Sequence, residues 1–198
     1  MWLFAFFVLA FSLQHVPAEF NQPYIKLLQH GLFNAQNFSA LISGCMVAIS
    51  MLGGALGASI SMRLLERMGV QKLLLAGLAI MMLIISGMAT FLTPFVLLLV
   101  LLRNFPMAFS EAPLLAAVAP HIDSSFRATY LSMQSLAGRL GFALLLVSIA
   151  RIIDTGAGQS DVSWPHLQLA LLVSLVVGVA GIAILLIFRK STGAHLAP

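Results

Sequence analysis

Charged side chains are scarce in this sequence, and their scarcity excludes most classes of soluble protein. Asp, Glu, Lys and Arg make up 8% of the 198 residues, whereas 61% of the residues are hydrophobic. Soluble globular domains have about 25% charged and roughly 45–50% apolar residues. A chain this apolar belongs in a lipid bilayer, so we predict an all-α membrane protein.

Cysteines and basic runs are also lacking. The single cysteine, Cys45, cannot form an internal disulfide and has no partners for a metal cluster, so no cofactor is expected. The formal charge of +4 comes from scattered residues that form no basic run, which excludes nucleic acid as an expected partner. The N-terminal apolar run has no basic residue before it and no small-x-small cleavage site, which predicts a retained helix rather than a signal peptide.

Six apolar segments are long enough to cross a bilayer as helices. A hydrocarbon core of about 30 Å takes roughly 20 helical residues. The six runs that qualify are residues 2–20, 38–62, 72–92, 94–118, 127–151 and 165–188. They are expected to be helical because an open backbone cannot face lipid. We therefore predict one transmembrane domain, residues 1–198, with six spans.

Lysine and arginine are unequally distributed between the two sides of this predicted bundle. Cytoplasmic loops of membrane proteins carry an excess of positive residues. Six such residues flank one side and two flank the other: Arg63, Arg67, Lys72, Arg127, Arg189 and Lys190 against Lys26 and Arg151. The distribution predicts a multi-pass protein of the cytoplasmic (bacterial inner) membrane with both termini in the cytoplasm.

The spans divide into two triplets of similar character, residues 1–93 and 94–198. The first span of each triplet is interrupted by proline, with SLQHVPAEFNQPY in one and LLRNFPMAFSEAP in the other, and Pro17, Pro106 and Pro113 are the predicted kinks. Because each triplet crosses the membrane three times, the second has inverted topology. Proline-broken segments at matching positions of two repeats are a sequence indication of a transporter's binding site.

Small residues follow one side of the second span in each triplet. They allow two helices to approach closely in lipid. Two interpretations are open: packing inside this bundle, or docking of a second bundle. The predicted interface between two such halves consists of Ser50, Gly53, Gly54, Gly57, Gly138 and Gly141.

Three stretches resemble the C-terminal half of major facilitator superfamily (MFS) transporters, which are built from two six-helix halves. HVPAEFNQPYI resembles the broken first helix of that half, and AAVAPHIDSSFRATYLSMQSLAGRLG resembles the junction of its fourth and fifth helices. MRLLERMGVQKLLL resembles the cytoplasmic loop motif G-x-L-a-D-r-x-G-r-k, with Glu66, Arg67, Gly69 and Lys72 in comparable places, although Glu66 stands where the motif has aspartate.

This resemblance covers nearly the whole chain and implies half of a transporter fold, two inverted three-helix repeats long. It also implies alternating access about a central cavity. The partners that it implies are the lipid bilayer, a small-molecule substrate, and either a second six-helix half or a second copy of the chain as a homodimer.

Polar and charged residues within the apolar segments are the candidate site residues, because ionisable groups inside a membrane are costly and often functional. At a rise of about 1.5 Å per residue, Arg103 and Arg139 are expected at a similar depth. We predict that they face a wet cavity and bind an anionic or carboxylate-bearing substrate. The alternative is that carbonyls freed by the prolines hold them, or that they snorkel to the membrane surface. The neutral side chains predicted to line the same cavity are Gln14, Gln22, Tyr24, Ser132 and Ser135.

Three further residues are candidates for proton coupling, namely Glu111, Glu19 and His15. Carboxylates in a cleft and imidazoles can exchange protons near neutral pH. For Glu111 the alternative is a structural partner of an arginine such as Arg139. For His15 it is a hydrogen-bonded position in the wall of the cavity.

The predicted function is secondary, proton-coupled transport of a small solute, as a symporter or an antiporter, and not enzymatic catalysis. An intramembrane hydrolase needs a serine and a histidine at matching depth, and only His15 lies deep enough among the histidines. A self-assembling channel needs a ring of like charges or a carbonyl filter, which the sequence lacks. The alternative that stays open is a non-transporting membrane fragment or a regulatory partner of a transporter.

Overall fold

The structure is built almost entirely of α-helices. The computed structural model describes residues 1–20, 39–91, 96–154 and 164–192. The helices are α1 (Trp2–Glu19), α2 (Ser39–Met68), α3 (Val70–Thr90), α4 (Val96–Leu102), α5 (Phe105–Val118), α6 (Ser124–Asp154) and α7 (Trp164–Thr192), with a 3-10 turn at Ala119–His121. In the described part of the chain, six helical stretches are long and apolar enough to cross a membrane, with α4 and α5 counted as one fourth span. The prediction of six membrane-length helices is confirmed, as expected of a multi-pass membrane protein.

The prolines of the first and fourth spans have different effects on their helices. α1 runs without interruption through Pro17, so the break predicted in the first span is not found within Trp2–Glu19. Pro17 lies in the last turn, where its missing N–H removes one intrahelical bond and the helix ends soon afterwards. The fourth span, in contrast, is divided at Arg103 and Asn104, directly before Pro106. α5 then continues through Pro113 without a break.

Three pairs of helices make the most extensive contacts: α2 with α5, α1 with α6, and α3 with α7. The contacts of α3 with α5 and of α1 with α7 come next. α1 and α6 run parallel, because Phe4 contacts Tyr130 near the beginning of both helices and His15 contacts Phe142 further along both. The core therefore lies between α1, α3, α7 and the fourth span.

Glycines bring α2 against the fourth span at backbone distance. A Cβ atom added to Gly57 would lie 2.8 Å from the carbonyl oxygen of Phe105, and one added to Gly53 would lie 3.6 Å from that of Leu101. Because these two pairs advance in the same direction, α2 runs parallel to the fourth span. Such close approach is possible only where small residues line the contact.

Glycines of α6 likewise allow this helix to approach α1 closely. A Cβ atom on Gly138 would lie 2.9 Å from Cγ of Phe11, and one on Gly141 would lie 2.7 Å from Oγ of Ser12. Ser50 on α2 is also buried. The small residues predicted to dock a second bundle are therefore packed within this chain, which is the packing interpretation. Any docking role of α2 and α6 falls to their other faces.

We expect Gly57→Ala to destabilise the bundle and Gly53→Ala to be tolerated. The added methyl group at position 57 meets a backbone oxygen, which cannot move without shifting α5, and such overpacking costs about 1–3 kcal/mol. The methyl group at position 53 makes an ordinary van der Waals contact, so that variant is the matched control. Thermal unfolding of the purified variants in detergent or nanodiscs measures the difference. Equal midpoints for the two variants would contradict the close contact of α2 with Phe105.

Several polar side chains of the core are hydrogen-bonded inside the bundle, as an apolar surrounding favours. The indole N–H of Trp2 donates a 2.8 Å hydrogen bond to the carbonyl oxygen of Leu185, which fastens the beginning of α1 to the last turns of α7. The hydroxyls of Ser12 and Ser174 donate to the carbonyl oxygens four residues earlier, at 2.7 and 2.8 Å. Because both hydroxyls donate within their own helices, neither serine is available as a hydrogen-bond donor to a ligand.

Candidate functional site

The break in the fourth span is the centre of the candidate site. α4 ends at Leu102 and α5 begins at Phe105, and the backbone N–H of Arg103 bonds to Val100 at 3.4 Å in a tightened last turn. Pro106 has no N–H, so it cannot bond to the carbonyl group of Leu102 as a helix would require. The break therefore frees backbone polar groups in the middle of an apolar span. In membrane proteins such groups are tolerated where they are buried in protein or line a cavity.

An amide–amide hydrogen bond connects α1 to this break. Nε2 of Gln14, a buried side chain, donates to Oδ1 of Asn104 at 3.2 Å. Gln14 was predicted to line the cavity, whereas Asn104 was not predicted as a site residue. The available signal was the position of an asparagine two residues before Pro106 in an apolar run, since asparagine favours turns and helix ends.

Arg103 lies half-buried beside Asn104. Two of its guanidinium nitrogens, Nε and Nη1, are buried and have no hydrogen-bond partner among the described residues. The alternative interpretation required the carbonyl groups freed by the prolines to hold the guanidinium of Arg103. These carbonyl groups form no hydrogen bond with Nε or Nη1. Buried donors without hydrogen-bond partners destabilise a protein, so two such nitrogens are unusual in a folded chain.

Arg139 has different surroundings. It lies at the midpoint of α6, 15 residues from Ser124 and 15 from Asp154. Its side chain is exposed and pairs with no described residue, and Ser132 and Ser135 on the same side of the helix are exposed and half-buried. The structure thus places Arg103 within the bundle and Arg139 on its surface.

His15 is held between α1 and α6. Its Nδ1 lies 2.8 Å from the carbonyl oxygen of Phe11, and its ring stacks on that of Phe11 with centroids 4.0 Å apart. The ring of Phe142 on α6 lies 5.4 Å away. Because a carbonyl oxygen only accepts, Nδ1 must carry the proton of this bond, and Nε2 is left with a lone pair. Nε2 of His15 is therefore the ring nitrogen that is left to accept a hydrogen bond.

The two candidate carboxylates are exposed. Glu111 lies on α5 and Glu19 is the last residue of α1, and neither forms an ion pair with a described residue. Gln22 and Tyr24, predicted to line the cavity, lie outside the described residues.

The predicted cytoplasmic loop is a one-residue turn between α2 and α3. Gly69 has φ of 73°, a left-handed conformation that favours glycine. Its N–H bonds to the carbonyl of Leu65 at 3.0 Å, which closes α2. Glu66, Arg67 and Lys72 are all exposed around this turn. The backbone conformation therefore explains why glycine stands at position 69 of the motif. The charged side chains around it are accessible to a partner.

An apolar groove of about 310 Å³ lies beside the break, between α3 and the fourth span. Its walls are Ile80, Leu83, Ile84, Leu99, Leu102 and Phe105. It offers almost no polar surface, so it does not belong to the polar site. Across the described residues, no three or more His, Cys, Asp or Glu side chains gather as metal ligands would.

Comparison of the chain with protein-family models, with curated proteins and with solved structures finds no match.

Proposed function

We propose that this chain is one six-helix half of an MFS-type secondary carrier, which moves a small solute by alternating access and couples the movement to protons. The observation that carries the proposal is the pattern of helix pairs. Each of the first three spans has a counterpart among the last three: α1 corresponds to the fourth span, α2 to α6 and α3 to α7. When the counterparts are exchanged, the α1–α6 pair becomes the pair of the fourth span with α2. The same exchange turns the α3–α7 pair into itself, and the α1–α7 pair into that of α3 with α5.

This symmetry of pairing supports two inverted three-helix repeats. A triplet crosses the membrane three times, so an exchanged span runs in the opposite direction. Inverted repeats are a common construction of secondary carriers, with the substrate site near the bilayer midplane at discontinuous helices. The break at Arg103 and Asn104 is such a discontinuity, and Gln14 connects it to the corresponding span of the first triplet.

The exposed faces of α2 and α6 support a second bundle as partner. In the most apolar 18-residue windows of α2 and α6, 28% and 17% of the residues are buried, against 56% in the window of α3. The window of α7 is also little buried, at 22%. Arg139 lies midway along the less buried of the two spans. A charge at the bilayer centre costs about 2.5–3.5 kcal/mol on insertion scales, a cost avoided at a wet interface. A second six-helix half, or a second copy of this chain, would supply that interface.

The residues assigned to the path are those at the break and on the adjacent faces. Arg103, Asn104 and Gln14 form the substrate end, and His15 is the proton acceptor, with Glu111 and Glu19 as exposed carboxylates on the same route. In this proposal the charged turn at Gly69 lies in the cytoplasm, together with both termini.

Proton flux in proteoliposomes tests the proposal. The full chain is reconstituted into vesicles containing a pH-sensitive dye, and pools of sugars, amino acids, organic acids and organic cations are added outside. At least one pool is expected to change the internal pH, and an uncoupler is expected to abolish the change. Vesicles without protein are the control. Absence of solute-dependent flux for every pool would contradict transport by copies of this chain alone and favour the alternative of a regulatory partner.

A further inference from the structure

The break in the fourth span holds a positive charge for which the described residues offer no counter-ion. Nε and Nη1 of Arg103 are buried and hydrogen-bond to none of them. A buried charge is stable only when it is paired and hydrogen-bonded. A negatively charged ligand would complete the hydrogen bonds of these two nitrogens.

The polar groups around Arg103 that are left for a ligand are hydrogen-bond donors. Oδ1 of Asn104 already accepts a bond from Gln14, so the amide N–H₂ of Asn104 is the group left for a ligand. Asn104 places no side-chain cap on α5, and the N-terminus of this 14-residue helix begins directly after it. Free N–H groups and the helix dipole make that end attractive to anions. Guanidinium, amide and helix end are all donors.

We infer that Arg103, Asn104 and the beginning of α5 bind the carboxylate group of a small organic acid. The donors match an acceptor with two oxygens and a negative charge, which a carboxylate provides and a neutral amide does not. Gln14 is a positioning residue, because its bond to Oδ1 turns the nitrogen of Asn104 toward the ligand. This inference rests on the proposed carrier function and names the substrate class of that site.

Thermal stabilisation of the full chain in lipid nanodiscs tests the inference. The probes are sodium acetate and sodium benzoate, with acetamide and benzamide as neutral isosteres, and sodium chloride keeps the ionic strength constant. The carboxylates are expected to raise the unfolding midpoint in a saturable way and the amides are not. If chloride alone gives the full saturable shift, the site takes an inorganic anion and its carboxylate specificity is refuted.

Variants locate the binding site. Arg103→Gln is expected to weaken benzoate binding by about tenfold or more, since it removes bonds to a charged group. Arg103→Lys keeps the charge and is expected to retain part of the affinity, and Gln14→Leu is expected to weaken binding without abolishing it. Arg63→Gln, at an exposed arginine near the end of α2, is the matched control and is expected to bind like the wild type. Unchanged benzoate affinity in Arg103→Gln would overturn the inference.

The two proposals fail in distinguishable ways. Solute-driven proton flux together with carboxylate binding that ignores Arg103 would leave a carrier whose site lies elsewhere. Binding that depends on Arg103, without flux for any solute, would leave the carboxylate site and refute transport by copies of this chain alone.

Discussion

Arg139→Gln is expected to reduce solute-dependent proton flux by about 10- to 100-fold, the effect of losing hydrogen bonds to a charged group. Arg139 is the midpoint of a 31-residue helix and its side chain is exposed. An arginine at that height is stable where it meets water or a polar partner, so in the proposed assembly it faces the path between the two bundles. Glutamine keeps the length and polarity of the side chain but removes the charge.

Arg151→Gln is the matched control for that experiment. Arg151 is exposed on the same helix, in its last turn, where we expect water and lipid headgroups to surround it. Its replacement is expected to leave flux within the error of the wild type. Both variants should insert and unfold like the wild type, because neither side chain packs in the core. Flux near the wild-type rate in Arg139→Gln would remove this residue from the path.

Pro106→Ala is expected to join α4 and α5 into one helix and to reduce flux to a small fraction of the wild-type value. Alanine restores an N–H that can bond to the carbonyl of Leu102, and in a helix interior alanine is about 3 kcal/mol more favourable than proline. A continuous helix would rotate Asn104 relative to α1 and break its hydrogen bond with Gln14. The site would then lose the amide group of Asn104 that Gln14 holds in place.

Hydrogen exchange measures this change directly. The amides of residues 103–106 are expected to exchange more slowly in Pro106→Ala than those of residues 103–105 do in the wild type. Pro120→Ala is the control, because Pro120 is exposed in the 3-10 turn after α5. If exchange at residues 103–105 stays fast in Pro106→Ala, the break is held by the packing of α2 rather than by the missing N–H.

The spans could be predicted from sequence because bilayer thickness fixes the length of an apolar run. Their ends could not, because a helix continues past the hydrocarbon region until a residue stops it. The second span was predicted to end at 62 and continues to Met68, where Gly69 adopts φ of 73°. Pro17 was predicted to kink the first span, and α1 continues through it for two residues, to Glu19.

The sequence did not indicate which residues contact one another in the folded chain. A glycine indicates that some backbone comes close but not which one, so the contact of Gly57 with the fourth span had no separate signal. The bond between Gln14 and Asn104 joins residues 90 positions apart. Arg103 and Arg139 were expected to share an environment because the helical rise gives the depth of a residue in the membrane. Burial also depends on the rotation of the helix about its axis, which is decided by packing.

Water accessibility at the middle of α6 is the most direct test of a carrier path on this surface. Arg139→Cys and Leu144→Cys are made in a Cys45→Ser background and treated in nanodiscs with a charged, membrane-impermeant thiol reagent. Leu144 is 70% exposed on another side of α6 and serves as the control that the proposal places outside the aqueous path. The thiol at position 139 is expected to react about tenfold or more faster, because thiolates form in water and not in lipid. Equally slow reaction at both positions would contradict an aqueous path beside α6.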